Sequence, residues 1–326
     1  MPSPVKYALA GDIGGTNMRA ALVDREGSLL ARAVCATQPE SGLNDAAYRL
    51  TALFEEVVSR VPRDDVGGVV LSSAGPIDPE TGMYDHPPNL PGWDGMTMKP
   101  GLTAALKLPV AIGHDATLGA LAESRFGVGK GAQHLVYVTL STGVGGGIIA
   151  NGEMVTGAHG HAGEIGHLLV RPGGQSCNVG CDGCLEGIAS GGGIARAAQA
   201  ALAAGRASAM LEMAGGDAGA VTAQTVFEAA TGGDAAATEI VDVVIDAVAV
   251  GFANILNTLD PEYLVVGGAV TGSLQPYWDD LRARIEDKAL PHFAGRVPLY
   301  VSPLGDDVSL VGAAALAFDI ADATAV

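Results

Sequence analysis

The sequence predicts an α/β fold of two lobes built around an internal duplication, and three observations predict it. Strand-like and helix-like runs alternate along most of the chain. A strand, a glycine turn of phosphate size and a second strand occur near residues 5–24 and again at 134–155. The 326 residues also exceed what one hydrophobic core usually organises, so two lobes of about 120 to 200 residues are expected.

Taken in order, VKYALAGD (5–12) is an apolar strand that ends in GDIGGTN. MRAALVD resumes the strand pattern, DREGS turns the chain, and LLARAVCAT supplies a third strand, in which Cys35 reads as core. A helix is expected over 43–60, then a buried strand, VGGVVLSSAG. The stretch GPIDPETGMYDHPPNLPGW is too long for a mere connector, and its Pro, Asn and Trp mark an ordered functional loop. LPVAIGHD runs as a strand into the helix ATLGALAESRFG. The second strand–turn–strand unit then follows as HLVYVTL, STGVGGG and IIA, with NGE and MV after it. Residues 197–237 are biased to Ala and Gly, and no periodic pattern fixes the helices within them. A long apolar helix (IVDVVIDAVAVGFANILNTLD), a strand ending YLVVGGAV, an amphipathic helix near 275–290, the strand VPLYVS and a last helix complete the chain. The expected division is a small lobe of 1–116, completed by the C-terminal helix at 309–326, and a large lobe of 117–308.

Composition excludes several classes. With 48% apolar and 17% charged residues the chain is globular, and a net charge of −18 opposes binding to a phosphate backbone. MPSPVKYALAGDIGG lacks the basic and apolar regions of a secretory signal, and no uncharged apolar run reaches about 18 residues. A cytoplasmic protein with no membrane and no nucleic-acid partner is expected. In a reducing compartment three cysteines within eight positions, SCNVGCDGC, point to a metal rather than disulfides, with reduced buried thiols as the plainer alternative.

GDIGGTN and STGVGGG can each present successive backbone amides to a phosphate, because glycine leaves the approach clear. Neither matches G-x-x-x-x-G-K-[ST] or a G-x-G-x-x-G that opens a helix. Read alone, either is equally a tight hairpin turn. With YLVVGGAVTG they form a trio that resembles the phosphate and adenosine motifs of the actin-like ATPase (ribonuclease H-like) sugar kinase fold. DIGGTN, PPNLPGW, HDATLGALAE, STGVGGGI, GEIGH and GCLEGIASG resemble, in order, the motifs of the ROK family of sugar kinases and repressors, from about residue 5 to 316.

The resemblance implies ATP between the lobes, with Gly14, Gly15, Thr16 and Asn17 in one phosphate turn and Thr142, Gly143 and Gly145 in the other. It gives Asp12 the task of orienting magnesium through water, a role suited to a hard oxygen ligand. Gly267 and Gly268 are to lie beside the adenosine. Asp115 takes the place of the catalytic aspartate that accepts the proton of the attacking hydroxyl, although Asp at a strand-to-helix junction is otherwise a common helix cap. Asn89, Glu164, His167 and Glu186 match sugar-binding positions. His114 stands where the family usually has asparagine, and a neutral imidazole has its donor and acceptor on opposite ring edges.

The family's structural zinc uses the GEIGH histidine and three cysteines. His167, Cys177 and Cys184 keep two of its spacings, while Val179 stands at the middle place, so Cys181 is the expected fourth ligand. The reading is therefore an ATP-dependent hexose kinase acting at the 6-hydroxyl, with glucose first and an N-acetylhexosamine or fructose as alternatives, and with a homodimer or homotetramer expected. Repressors of the family carry a winged helix ahead of the first glycine motif, where this chain has ten residues before Gly11. A non-catalytic sugar sensor would not need Asp115 beside two intact phosphate turns.

Overall fold

The computed structural model describes residues 5–73, 75–78 and 80–324. The chain forms two compact units, one of Met1–Gly131, Gly147–Ala162 and Pro303–Val326 and the other of Ala132–Gly146 and Gly163–Ser302.

In the first unit β1 (Tyr7–Ile13), β2 (Asn17–Asp24), β3 (Leu29–Ala36), β4 (Val66–Ser73) and β5 (Val110–His114) lie in the order β3-β2-β1-β4-β5. The β1–β2 and β2–β3 pairs are antiparallel, and β1–β4 and β4–β5 are parallel. The two-residue period of the pleat assigns the faces. Leu9, Ile13 and Leu71 share a core with Leu50 and Phe54 of α1 (Leu43–Val58) and Leu102 of α2 (Lys99–Leu106). Ala8, Ala10 and Val70 face the other way, onto Leu118 of α3 (Asp115–Arg125) and Leu310 and Ala314 of the final helix, Val308–Thr324. Small residues let that helix come close: the Leu118 carbonyl lies where a side chain on Gly312 would begin. Because α3 packs on the final helix, it belongs to the first unit, and the division falls after residue 131 rather than at the expected 116.

The second sheet holds β6 (Leu135–Leu140), β7 (Val144–Ala150), β8 (Glu153–Met154), β9 (Tyr263–Gly267) and β10 (Leu299–Val301), in the order β10-β9-β6-β7-β8. Here β7–β8 is antiparallel and β6–β9 and β9–β10 are parallel. Read from its other edge, this order repeats that of the first sheet, so the duplicated motif in the sequence is a duplicated sheet topology.

In the Ala and Gly tract after residue 197, side-chain caps mark where the helices start. After α4 (Leu185–Ala189), Ser190 caps α5 (Gly191–Ala203) and Ser208 caps α6 (Ala209–Met213). Thr222 and Thr225 form a capping box at α7 (Ala223–Thr231). Asp234 starts α8 (Ala235–Leu259) by accepting from the Ala237 N–H at 2.9 Å, and Asp260, with φ of 43°, ends it just before Pro261. The short α9 (Ala269–Leu274) follows β9. The helix expected near 275–290 begins later, as α10 (Trp278–Lys288), because Pro276 lies in a preceding 3-10 turn. Among the described residues no helix is long and apolar enough to cross a membrane.

Candidate active site

The first glycine turn closes the β1–β2 hairpin. The Gly14 N–H donates to the Asn17 carbonyl at 3.0 Å, and buried Thr37 holds the turn from beneath, its Oγ1 donating to the Gly14 carbonyl at 2.6 Å and its N–H to the Thr16 carbonyl at 2.8 Å. Gly15 lies at the turn, and Thr16 and Asn17 are exposed.

Register places Asp12 directly opposite Arg19. The Arg19 guanidinium reaches Asp12 Oδ2 at 2.8 Å, the Asp306 carbonyl at 2.8 Å and Asp307 Oδ1 at 3.3 Å, while Ser309 Oγ donates to Asp12 Oδ1 at 3.0 Å. Both oxygens of the acid are thus held in place. Sequence reasoning missed Arg19, yet counting antiparallel partners outward from GGT puts this cation against the acid, a pairing that cross-strand neighbours favour.

The proline-rich loop is anchored by buried aromatics. Tyr84 and Trp93 meet edge to face at 5.4 Å, the Tyr84 hydroxyl lies 3.0 Å from Ser73 Oγ, and Trp93 Nε1 donates to the Pro39 carbonyl at 3.2 Å. Burial, partly offset by the Ser73 hydrogen bond, pushes the Tyr84 phenol up to about 12. On this loop Asn89 is exposed, and its backbone reaches the first turn: a Cβ on residue 15 would sit 3.1 Å from the Asn89 carbonyl oxygen.

At the end of β5, His114 precedes Asp115, the first residue of α3, whose Oδ1 accepts from the Ala116 N–H at 2.7 Å. Asp115 is the first helical residue and not the cap, a position taken by His114. His114 Nδ1 stands 3.5 Å from Asp115 Oδ1, and both side chains are about a third exposed, so the imidazole is not a core residue. Its ring edge lies against Gly75.

In the second unit the turn after β6 runs through Ser141, Thr142 and Gly143 to Gly145 in β7, with the Gly191 N–H at the start of α5 donating to the Ser141 carbonyl at 2.7 Å. Glu186 of α4 comes to rest on this turn. Its Oε2 accepts the Val144 N–H at 3.0 Å and would lie 2.7 Å from a Cβ on residue 143, so only glycine leaves room for the carboxylate. Gly267 ends β9, and Gly268, with φ of 92°, caps α9.

His167 lies between two partners. Its Nε2 is 3.8 Å from Glu164 Oε2, and its Nδ1 is 3.9 Å from Cys177 Sγ. Ligand atoms of His167, Cys177 and Cys181 all lie within 4.8 Å of one another. Cys184 stands outside that trio but hydrogen-bonds Cys177, and its sulfur caps α4 by accepting the Gly187 N–H at 3.4 Å. Burial, together with the Cys177 sulfur, drives the Cys184 thiol up to about 11 against the Gly187 hydrogen bond. Cys181 is also raised, by burial and by Cys177. For Cys177 burial pushes upward too, but the N–H groups of Cys181 and Val179 outweigh it and lower the thiol.

Residues 8–320 match the ROK family. The chain belongs to the ROK family. Among its relatives, a glucokinase from Thermotoga maritima is 34% identical over 312 residues, covering 95% of this chain and 97% of that protein. An N-acetylmannosamine kinase from Escherichia coli is likewise 34% identical, with 95% and 97% covered. The crystal structure of a ROK family glucokinase from Streptomyces griseus in complex with glucose and AMPPNP superimposes with a TM-score of 0.77 at 29% identity, over 95% of this chain and 98% of that one. The doubled sheet of this ROK chain is accordingly the two-sheet α/β sugar kinase fold.

Proposed function

We propose that this chain is an ATP-dependent hexose kinase that phosphorylates the 6-hydroxyl of glucose. The observation that carries the reading is likeness over nearly the whole length to glucokinase, at 34% identity. In the reaction the hydroxyl oxygen bonds to the γ-phosphorus, the bond from that phosphorus to the bridging oxygen breaks, and ADP leaves. Phosphoryl transfer asks for positioning, charge neutralisation and a proton acceptor. Asp115, partly exposed at the head of α3, takes the hydroxyl proton.

Gly14, Gly15, Thr16 and Asn17 in one turn, and Thr142, Gly143 and Gly145 in the other, offer amides and a hydroxyl to the phosphates, with Gly267 and Gly268 beside the adenosine. Asp12, fixed by Arg19 and Ser309, would hold magnesium through water, and the ion would supply neutralising charge to the phosphates. Asn89, His114, Glu164, His167 and Glu186 read the sugar hydroxyls. Glu186 gives one oxygen to the Val144 N–H and keeps the other for the sugar.

The nitrogen and sulfur donors gathered around Cys177 suit a structural zinc held by His167 Nδ1, Cys177, Cys181 and Cys184. Held by these residues, zinc would supply a cross-link between His167 and the loop that leads into α4, while His167 Nε2 lies 3.8 Å from Glu164 Oε2. Thiols of this kind suit the reducing cytoplasm. The reading expects about one zinc per purified chain, and Cys181→Ser is expected to lose metal and thermal stability together. Full retention of zinc in that variant removes Cys181 as a ligand.

A second reading, an N-acetylhexosamine kinase, is favoured by the equal identity to N-acetylmannosamine kinase. One coupled assay of ADP formation with glucose, mannose and N-acetylmannosamine decides between them. In the same assay Asp115→Asn is expected to lower kcat by about 10²- to 10⁴-fold with sugar binding kept. Activity within about tenfold of wild type removes Asp115 as the base.

A further inference from the structure

A cavity of about 440 Å³ opens at the surface of the second unit, lined by the loop around Arg171 to Gln175 and by parts of α4, α5 and α8. None of the residues assigned above to sugar, nucleotide or metal lines it. Its size falls within the range of about 300 to 1,000 Å³ that holds small organic ligands. Its floor is apolar, with Ile188, Ala201, Ile240 and Val244. Of its two arginines, both exposed at the rim, Arg206 is paired with Glu239 at 2.6 Å, whereas the Arg171 guanidinium makes no hydrogen bond or ion pair with any described residue. One unpaired cation above an apolar floor, in a protein of net charge −18, selects a ligand with a single negative charge and a hydrocarbon or aromatic body.

The loop over this cavity also holds the sugar-site helix. The Gly183 carbonyl accepts both the Val170 and Arg171 N–H groups at 3.0 Å, and the Gly183 N–H donates to the Gln175 carbonyl at 3.1 Å. Gln175 Nε2 donates to the Gly187 carbonyl at 2.6 Å and to the Gly193 carbonyl at 2.8 Å. The bonds at 183 and 187 bracket Glu186, so an occupant that tightens residues 171–175 tightens the carboxylate seated on the second glycine turn. We infer that this cavity is a regulatory site for an amphiphilic monoanion, a medium-chain or aromatic carboxylate, coupled through Gln175 to Glu186. The coupling rests on the kinase reading given above; the binding does not.

The test uses the full chain as purified, with 1-anilinonaphthalene-8-sulfonate as the fluorescent probe and octanoate as the displacing ligand. Octanoate is expected to displace the probe saturably. Arg171→Glu is expected to weaken octanoate by at least about tenfold, Arg171→Lys to stay within about threefold of wild type, and Ala201→Phe, which fills the floor, to abolish displacement. Equal octanoate affinity in all four proteins overturns the site. So does a wild-type dimer that becomes monomeric in Ala201→Phe on sedimentation, because a second copy then occupies the cavity. Saturating octanoate is further expected to change the KM for the hexose at least about fivefold, with the hexose changing octanoate affinity in the same sense, as linkage requires of the two binding steps. Displacement with an unmoved KM overturns the coupling. A chain that binds octanoate but phosphorylates no hexose overturns the kinase reading and leaves the cavity standing.

Discussion

The two glycine turns occupy equivalent places in a duplicated sheet, and they are furnished differently. In the first, Asp12 is the penultimate residue of β1 and Arg19 the third of β2; the matching residues of the second are Thr139 and Gly146. The first turn thus carries a built-in ion pair. The second has none and borrows its acid, Glu186, from a helix that begins over 40 residues later in the sequence. A repeated backbone arrangement can supply amides twice, while charge comes to the first turn from the facing strand and to the second from a distant helix.

Removing the charge pair breaks this contrast most severely. The Arg19 and Asp12 side chains keep 16% and 17% of their exposure, and loss of one member of a fully buried pair costs about 3 to 5 kcal/mol. Arg19→Met, which leaves Asp12 without its cation, is therefore expected to lower kcat/KM about 100-fold and to reduce thermal stability. Arg19→Lys is expected to recover only part of the loss, since a point charge cannot reach Asp12, Asp307 and the Asp306 carbonyl at once. Initial rates across a magnesium titration, with calorimetry, check both.

The second turn is sharpened by Gly143→Ala. The new methyl displaces Glu186, and a loss of about tenfold in kcat/KM for the hexose is expected with the first unit's stability unchanged. An unaltered KM for both substrates would show that Glu186 does not depend on that turn.

The smallest effect concerns Tyr84, which anchors the loop that meets the first turn. A folded-state pKa raised above its unfolded value means stability fully present below about pH 10 and lost as pH rises toward about 12. Tyr84→Phe is expected to cost about 1 kcal/mol at neutral pH, for the lost Ser73 hydrogen bond, and to make alkaline unfolding shallower. Denaturant midpoints measured from pH 7 to 11.5 read both.

What the sequence revealed was local. Glycine turns between apolar strands, an aspartate at the junction of β5 and α3, and cysteines at fixed distances from His167 announce themselves over short stretches. What it concealed depended on distant residues meeting. Arg19 finds Asp306, Asp307 and Ser309 almost 290 positions away, and Glu186 finds Gly143 and Val144 over 40 positions away, with nothing local to mark either meeting. The small helices after residue 197 were unreadable for another reason: they are short, α6 buries only Met210 and α7 only Val226, Phe227 and Ala229, and the caps that start them are Ser208 and Thr222. The unit boundary moved because Leu118 packs on Gly312, a contact that no run of neighbouring residues encodes.

The final helix gives the order of synthesis a physical meaning. A ribosome that has translated as far as residue 303 has made all ten strands, but the face of the first sheet formed by Ala8, Ala10 and Val70 has Leu118 of α3 and still lacks Leu310, Ala313, Ala314 and Phe318, and Arg19 still lacks Asp306, Asp307 and Ser309. Ala132–Gly146 and Gly163–Ser302 of the second unit have by then all been translated. The nascent chain can therefore complete its later half before its earlier one, with a sticky apolar surface waiting for a cover encoded near the end of the message. A stop codon near 303 would leave both glycine turns encoded and yield a chaperone client in place of a folded first unit.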